Sequence, residues 1–227
     1  MTEFIQSLFT PMLTQLLLQG LLETLYMVGV SLVLAYVFGL PLGVILVVTE
    51  PDHLWPNKVI NRILSAVVNI GRSLPFIILM VAIIPFTRAI VGTSIGTTAA
   101  IVPLTVAAVP FVARMVQSSL KEVDHGVIDA ALAMGASSWQ TIMRALLPEA
   151  LPSLFLGAAV TAVNLVGYSA MAGAIGGGGL GDLAIRFGYQ RFQTNVMVMT
   201  VLVLIILVQA MQLIGEWVAH RLDHRSR

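Results

Sequence analysis

Few residues in this 227-residue chain have a type and spacing that could do chemistry. Gly92-Thr93-Ser94-Ile95-Gly96 has the G-x-S-x-G order of a serine nucleophile on a tight turn. Such a serine needs a base beside it to take its proton, and His53, His125, His220 and His224 all lie outside the apolar stretches that flank Ser94. The match reads as chance. Gly176-Gly177-Gly178-Gly179-Leu180-Gly181 has the glycines of a phosphate loop but not its lysine. Lys58 and Lys121 follow no glycine, so the G-x-x-x-x-G-K-[ST] order is absent. Cysteine is absent too, which removes disulfides, thiolate metal sites and thiol redox chemistry. The chain is therefore expected not to be an enzyme and to carry no metal or cofactor of its own.

The elements around these residues set the class. Hydrophobic residues make up 58% and charged residues 10%, against roughly 25% charged in an average soluble chain. Charge-free runs at 24–49, 89–113, 150–181 and 192–215 each exceed the ~20 residues that cross a bilayer. An all-α polytopic membrane protein follows, held in lipid. Five spans are predicted at about 21–48, 63–86, 90–115, 151–172 and 194–218. An odd number puts the termini on opposite sides, and the positive-inside rule chooses between the two orientations. With the C-terminus cytoplasmic, the inside holds Lys58, Arg62, Arg114, Lys121, Arg144, Arg221, Arg225 and Arg227, and the outside holds Arg88, Arg186 and Arg191. N-out, C-in is expected. Residues 1–20 form a short extracytoplasmic segment without the basic start of a signal peptide, so the chain is read as mature from Met1. Residues 21–218 form one transmembrane domain with a cytoplasmic segment at 117–147, and 219–227 form a basic cytoplasmic tail. The net charge of +1, with its twelve Lys and Arg scattered singly, argues against a nucleic-acid partner.

The cytoplasmic segment is the most informative stretch. His125 to Met134 reads as a short helix ending at Gly135, a residue suited to a left-handed helix terminus. Ala130, Ala131 and Ala133 give it a small-residue surface that another protein could approach. Ser137-Ser138-Trp139-Gln140 forms a capping box, so a second helix starts there and runs to Pro148, both helices lying along the membrane surface.

Asp129-Ala130-Ala131-Leu132-Ala133-Met134-Gly135, followed after nine residues by Ala145-Leu146-Leu147-Pro148, closely resembles the E-A-A-x3-G-x9-I-x-L-P loop of importer-type ABC transporter permeases. Two positions depart from it. Asp129 keeps a carboxylate on a shorter arm, and Ala145 replaces Ile with a loss of about 1 to 2 kcal/mol of possible burial. Further stretches at 68–79, 84–88, 91–96 and 165–171 look like the methionine-uptake branch of that family.

The resemblance implies a type I importer permease fold and a homodimer in the bacterial inner membrane. It implies two cytoplasmic ATPase subunits that bind Mg-ATP, and an extracytoplasmic methionine-binding protein. By the same resemblance the 129–148 loop is the coupling segment that sits in a cleft of the ATPase, with Asp129, Ala130, Ala131, Gly135 and Pro148 as its marked positions. The substrate would be L-methionine, with the D form also in range.

Other residues are assigned within that frame. Arg72 lies about nine residues into the second span, roughly 14 Å along it, near Pro75. Either it lines the cytoplasmic half of the pathway, or it snorkels or braces the proline kink. Met171, flexible and polarisable, is the favoured gate residue, with Tyr168 and Ser169 as neighbours, and plain core packing is the alternative. The glycine run is expected to unwind a helix end before a short outer helix from Asp182 to Tyr189. The surface carrying Asp182, Arg186 and Arg191 would face the binding protein. Gly39 and Gly43 make a small-xxx-small pattern around Pro41 that marks either a helix interface or a simple proline bend.

Two other transport readings stand beside this one. A permease for another small amino acid or an osmolyte differs only in substrate, which nothing in the residues spells out. An ATPase-independent secondary transporter would need acidic residues or histidines inside its helices, whereas Glu23, Glu149 and Glu216 are expected at span ends.

Overall fold

The computed structural model describes residues 11–222. The first ten residues of the expected outer segment, and Arg225 and Arg227 of the basic tail, lie outside the described residues. Nearly all the rest is helical. Among the described residues, four helices are long and apolar enough to cross a membrane, and a broken pair makes up to five.

Helix α1 is described over Pro11–Val48. It already covers 11–20, ahead of the expected span start at 21, so the second half of the expected outer segment is helical. At about 57 Å it is nearly twice a bilayer core in length. Glu23 accordingly lies well inside a helix and not at its end.

The second expected span, 63–86, is not one helix. Helix α2, Lys58–Ser73, stops before Leu74-Pro75, and α3, Phe76–Ala82, and α4, Ile84–Val91, follow. Pro75 cannot donate to the Gly71 carbonyl and its ring clashes with the preceding turn, so the helix breaks there. The third expected span, 90–115, shifts too. Gly92 and Gly96 sit at φ of +82° and +100° in a loop, and α5 runs from Thr97 to Lys121.

Helix α6, His125–Ala133, is capped by the Asp124 carboxylate, which accepts the Gly126 N–H. Helix α7, Ser138–Gly173, begins at the expected capping box and does not end at Pro148. A π-turn at Ile142–Leu146 widens the backbone just before that proline, which relieves its clash and lets the helix continue. Helix α8, Gly179–Leu183, starts three residues earlier than expected and continues as a π-turn, Ala184–Tyr189. Helix α9, Thr194–Leu222, closes the described chain.

These residues form two compact units, to both of which α1, α5, α7 and α9 contribute. The first unit comprises, among the described residues, 11–34, 74–107 and 162–212. In it, Phe76 stacks on Tyr168 with ring centroids 4.7 Å apart, and the Gly96 N–H donates to the Gly176 carbonyl. The second unit comprises, among the described residues, 35–73, 108–161 and 213–222. Its core joins Leu46 of α1, Val68 of α2 and Ala113 of α5. Here the Gly39 and Gly43 pattern is an intramolecular interface. A Cβ on Gly43 would lie 2.6 Å from Val116 Cβ, so only glycine lets α1 approach α5 this closely.

Candidate functional site

In the second unit, α6, the Gly135 turn and the start of α7 form a helix–turn–helix. Gly135 has φ +85° and its N–H returns to the Leu132 carbonyl, a left-handed terminus that a side chain would strain. Ser137 Oγ accepts the Gln140 N–H while Gln140 Oε1 accepts the Ser137 N–H, which restarts the chain in a fixed direction. Asp129, Ala130, Gly135 and Pro148 are exposed. Ala131 is buried at 8% exposure, so the outward face of α6 is made by Asp129, Ala130, Leu132 and Ala133. Met134 and Trp139 extend it as large apolar side chains exposed to solvent.

The loop after α1 packs beside this segment. The rings of His53 and His125 are 6.4 Å apart and both line a cleft of about 240 Å³ with Asp52 and Asp129. Burial and then the neighbouring His125 hold the His53 imidazole below its ordinary pKa, Lys121 adds in the same sense, and the Glu50 carboxylate pulls the other way.

A polar network crosses the same unit. Lys121 pairs with Glu50 at 2.7 Å, and Gln117 Nε2 donates to Glu50 Oε1 at 2.8 Å. Arg114 donates to Gln117 Oε1 and to Asn69 Oδ1 of α2. The sequence reading missed this set because its members lie up to 71 positions apart, from Glu50 to Lys121. One local signal was available: Lys58, Arg62, Ser65, Asn69 and Arg72 recur at helical spacing, a polar stripe along α2. Arg72 is exposed on that stripe in the last turn of α2, so it is one of several charges in these helices.

In the first unit, α7 carries the three residues expected at the gate, and they do not share an environment. Met171 is exposed, Tyr168 is half-buried against Phe76, and Ser169 is buried with its hydroxyl donating to the Val166 carbonyl. None of them lines the cavity of about 360 Å³ in this unit, whose wall includes Met80, Thr87, Ser94, Gly96 and Ala172. Ser94 Oγ accepts from Arg88 Nε at 3.2 Å, and the first unit contains no histidine to activate it. Asp182 pairs with Arg186 at 2.6 Å, and the Arg186 and Arg191 guanidinium groups both lie over the Phe187 ring.

The glycine run is engaged within the fold. Glu23 Oε2 accepts the Gly179 N–H at 2.7 Å, and Thr24 Oγ1 accepts the Leu180 N–H at 2.9 Å while donating to Gly20. A phosphate would have to displace a carboxylate from these donors, so the run does not fit a nucleotide.

Residues 35–227 match the family described as the inner membrane component of binding-protein-dependent transport systems. The chain belongs to that family. Among similar members of this inner-membrane family, a probable D-methionine transport permease, MetI, of Vibrio cholerae is 55% identical over 93% of this chain and 94% of its own. The D-methionine permease of Escherichia coli K12 is 54% identical over 70% of this chain and 73% of its own. A permease chain solved in inward-facing conformations of the MetNI methionine ABC transporter is 49% identical, with a TM-score of 0.93 over 95% of this chain and all of that one. An amino acid ABC transporter crystallised with histidines, at 16% identity and a TM-score of 0.76, shares the fold.

Proposed function

We propose that this chain is the permease subunit of an ATP-driven importer that moves methionine into the cell. The carrying observation is its near end-to-end likeness to methionine permeases, at an identity where fold and function usually travel together. Two copies would enclose the pathway, since four or five spans are few to surround a solute. Two cytoplasmic ATPase subunits would bind Mg-ATP, and an extracytoplasmic protein would deliver the substrate. The N-terminus lies outside and the C-terminus inside.

Helix α6 and the Gly135 turn form the coupling segment. Its face of small and apolar side chains around Asp129 suits a groove in the ATPase, where the carboxylate meets a basic group. Because α7 is continuous from the capping box to Gly173, a push on the segment acts along the helix that also carries Tyr168, Ser169 and Met171. Met171, exposed and flexible, closes against its symmetry mate. The polar stripe with Arg72 lines the cytoplasmic half of the path, which gives its guanidinium water. Asp182, Arg186 and Arg191 present a paired, charged surface to the binding protein.

The test is growth and uptake in cells lacking their own methionine importers. Expression of this chain with its ATPase and binding protein should restore uptake of labelled L-methionine, inhibited by unlabelled methionine and not by alanine or betaine. Competition by those solutes instead would transfer the assignment to another substrate.

A further inference from the structure

Arg114 has no packing reason to be charged. It is half-buried on α5, a helix whose neighbouring residues Val112, Ala113 and Val116 are fully buried. A guanidinium at such a position is costly unless its donors are satisfied. One is taken by Gln117 on its own helix and one by Asn69 on α2. Gln117 is 5% exposed and uses both ends of its amide, accepting from Arg114 and donating to Glu50 in the loop after α1. Glu50 is held in turn by Lys121, the last residue of α5, three residues before the Asp124 cap of α6. At the far end, the Asn69 carbonyl accepts the Ser73 hydroxyl at 2.8 Å in the last turn of α2, beside Arg72 and just before the Pro75 break.

Apolar contacts are non-directional and let helices slide, whereas a chain of paired hydrogen bonds fixes their register. We propose that Arg114 is a positioning residue for coupled transport: with Gln117 and Glu50 it locks α2, α5 and the post-α1 loop together, so that displacement of α6 moves the C-terminal end of α2. This rests on α6 being the coupling helix. Sliding of α2 against α5 would otherwise absorb the stroke, and ATP would be hydrolysed without movement of the polar stripe.

The test uses the complete complex of permease, ATPase and binding protein in liposomes. It reads ATPase retention, ATP hydrolysis and methionine imported per ATP. Arg114→Ala should keep ATPase retention and hydrolysis and lower import per ATP about tenfold, within the range of couplings between distant sites. Arg114→Lys should recover more than half of that loss. Asn69→Ala removes only the exposed end of the strut and leaves the core intact. It should lower import per ATP as Arg114→Ala does, and the double variant should be no worse than either single. Unchanged import per ATP in Asn69→Ala overturns the strut, as does an additive double variant or loss of the ATPase from Arg114→Ala. Gly135→Glu is run alongside. If that variant retains the ATPase, the coupling-helix reading itself fails, whatever Arg114 does.

Discussion

Replacing Glu23 should loosen a turn that lies 156 residues away in sequence. Its carboxylate accepts the Gly179 N–H at 2.7 Å, one of the first donors of α8 and one with no intrahelical acceptor. Glu23→Ala removes a hydrogen bond to a charged group and leaves a donor unsatisfied, at about 2 kcal/mol. That corresponds to a roughly thirtyfold rise in the local opening equilibrium. Glu23→Gln keeps an oxygen at the same reach but loses the charge, so the loss falls to about 1 kcal/mol, or roughly fivefold. Thr24 still holds Leu180 in both variants, so the effect should centre on the turn and not spread to the whole unit. Amide hydrogen exchange of the purified protein, read on peptides spanning 176–183, measures this directly. Protection that is the same in Glu23→Ala as in the parent would refute the cap.

Gly43→Leu should destabilise the second unit by about 3 kcal/mol through overpacking against Val116. Gly29→Ala, whose Cβ would meet nothing within 4 Å, should be neutral or stabilising, and thermal melts in detergent compare the two. At Gly135 nothing crowds a Cβ, so Gly135→Ala should cost only the left-handed backbone strain, about 1 kcal/mol, and Gly135→Asn less, read as ATPase retention across the variants. Folding holds the His53 imidazole below its ordinary pKa, chiefly by burial, so below pH about 6.5 the unfolded state takes up more protons and stability falls with acidification. After correction for the intrinsic exchange rate, protection in α6 should therefore fall as the pH drops below about 6.5 in the parent, and His53→Gln should flatten that dependence.

What the sequence disclosed follows the range of each signal. The Gly135 terminus and the Ser137–Gln140 box are local patterns, legible because both partners lie within one turn. The apolar runs disclosed the spans for the same reason. The break at Pro75 was harder, since apolar residues continue on both sides and hide the change of helix. At Pro148 the opposite error arose: a proline that ordinarily stops a helix is accommodated by a π-turn that leaves no mark in composition. Glu23 and Arg114 look like charges near span ends until their partners, Gly179 and Asn69, are known. The inward turn of Ala131 was invisible because alanine tolerates either face.

The most direct test of the account is reconstitution of this chain with its ATPase and binding protein in liposomes, following labelled L-methionine. Uptake that requires all three proteins and Mg-ATP, and that stops with Gly135→Glu, is the predicted result. Methionine entry into liposomes containing this chain without the ATPase would contradict it.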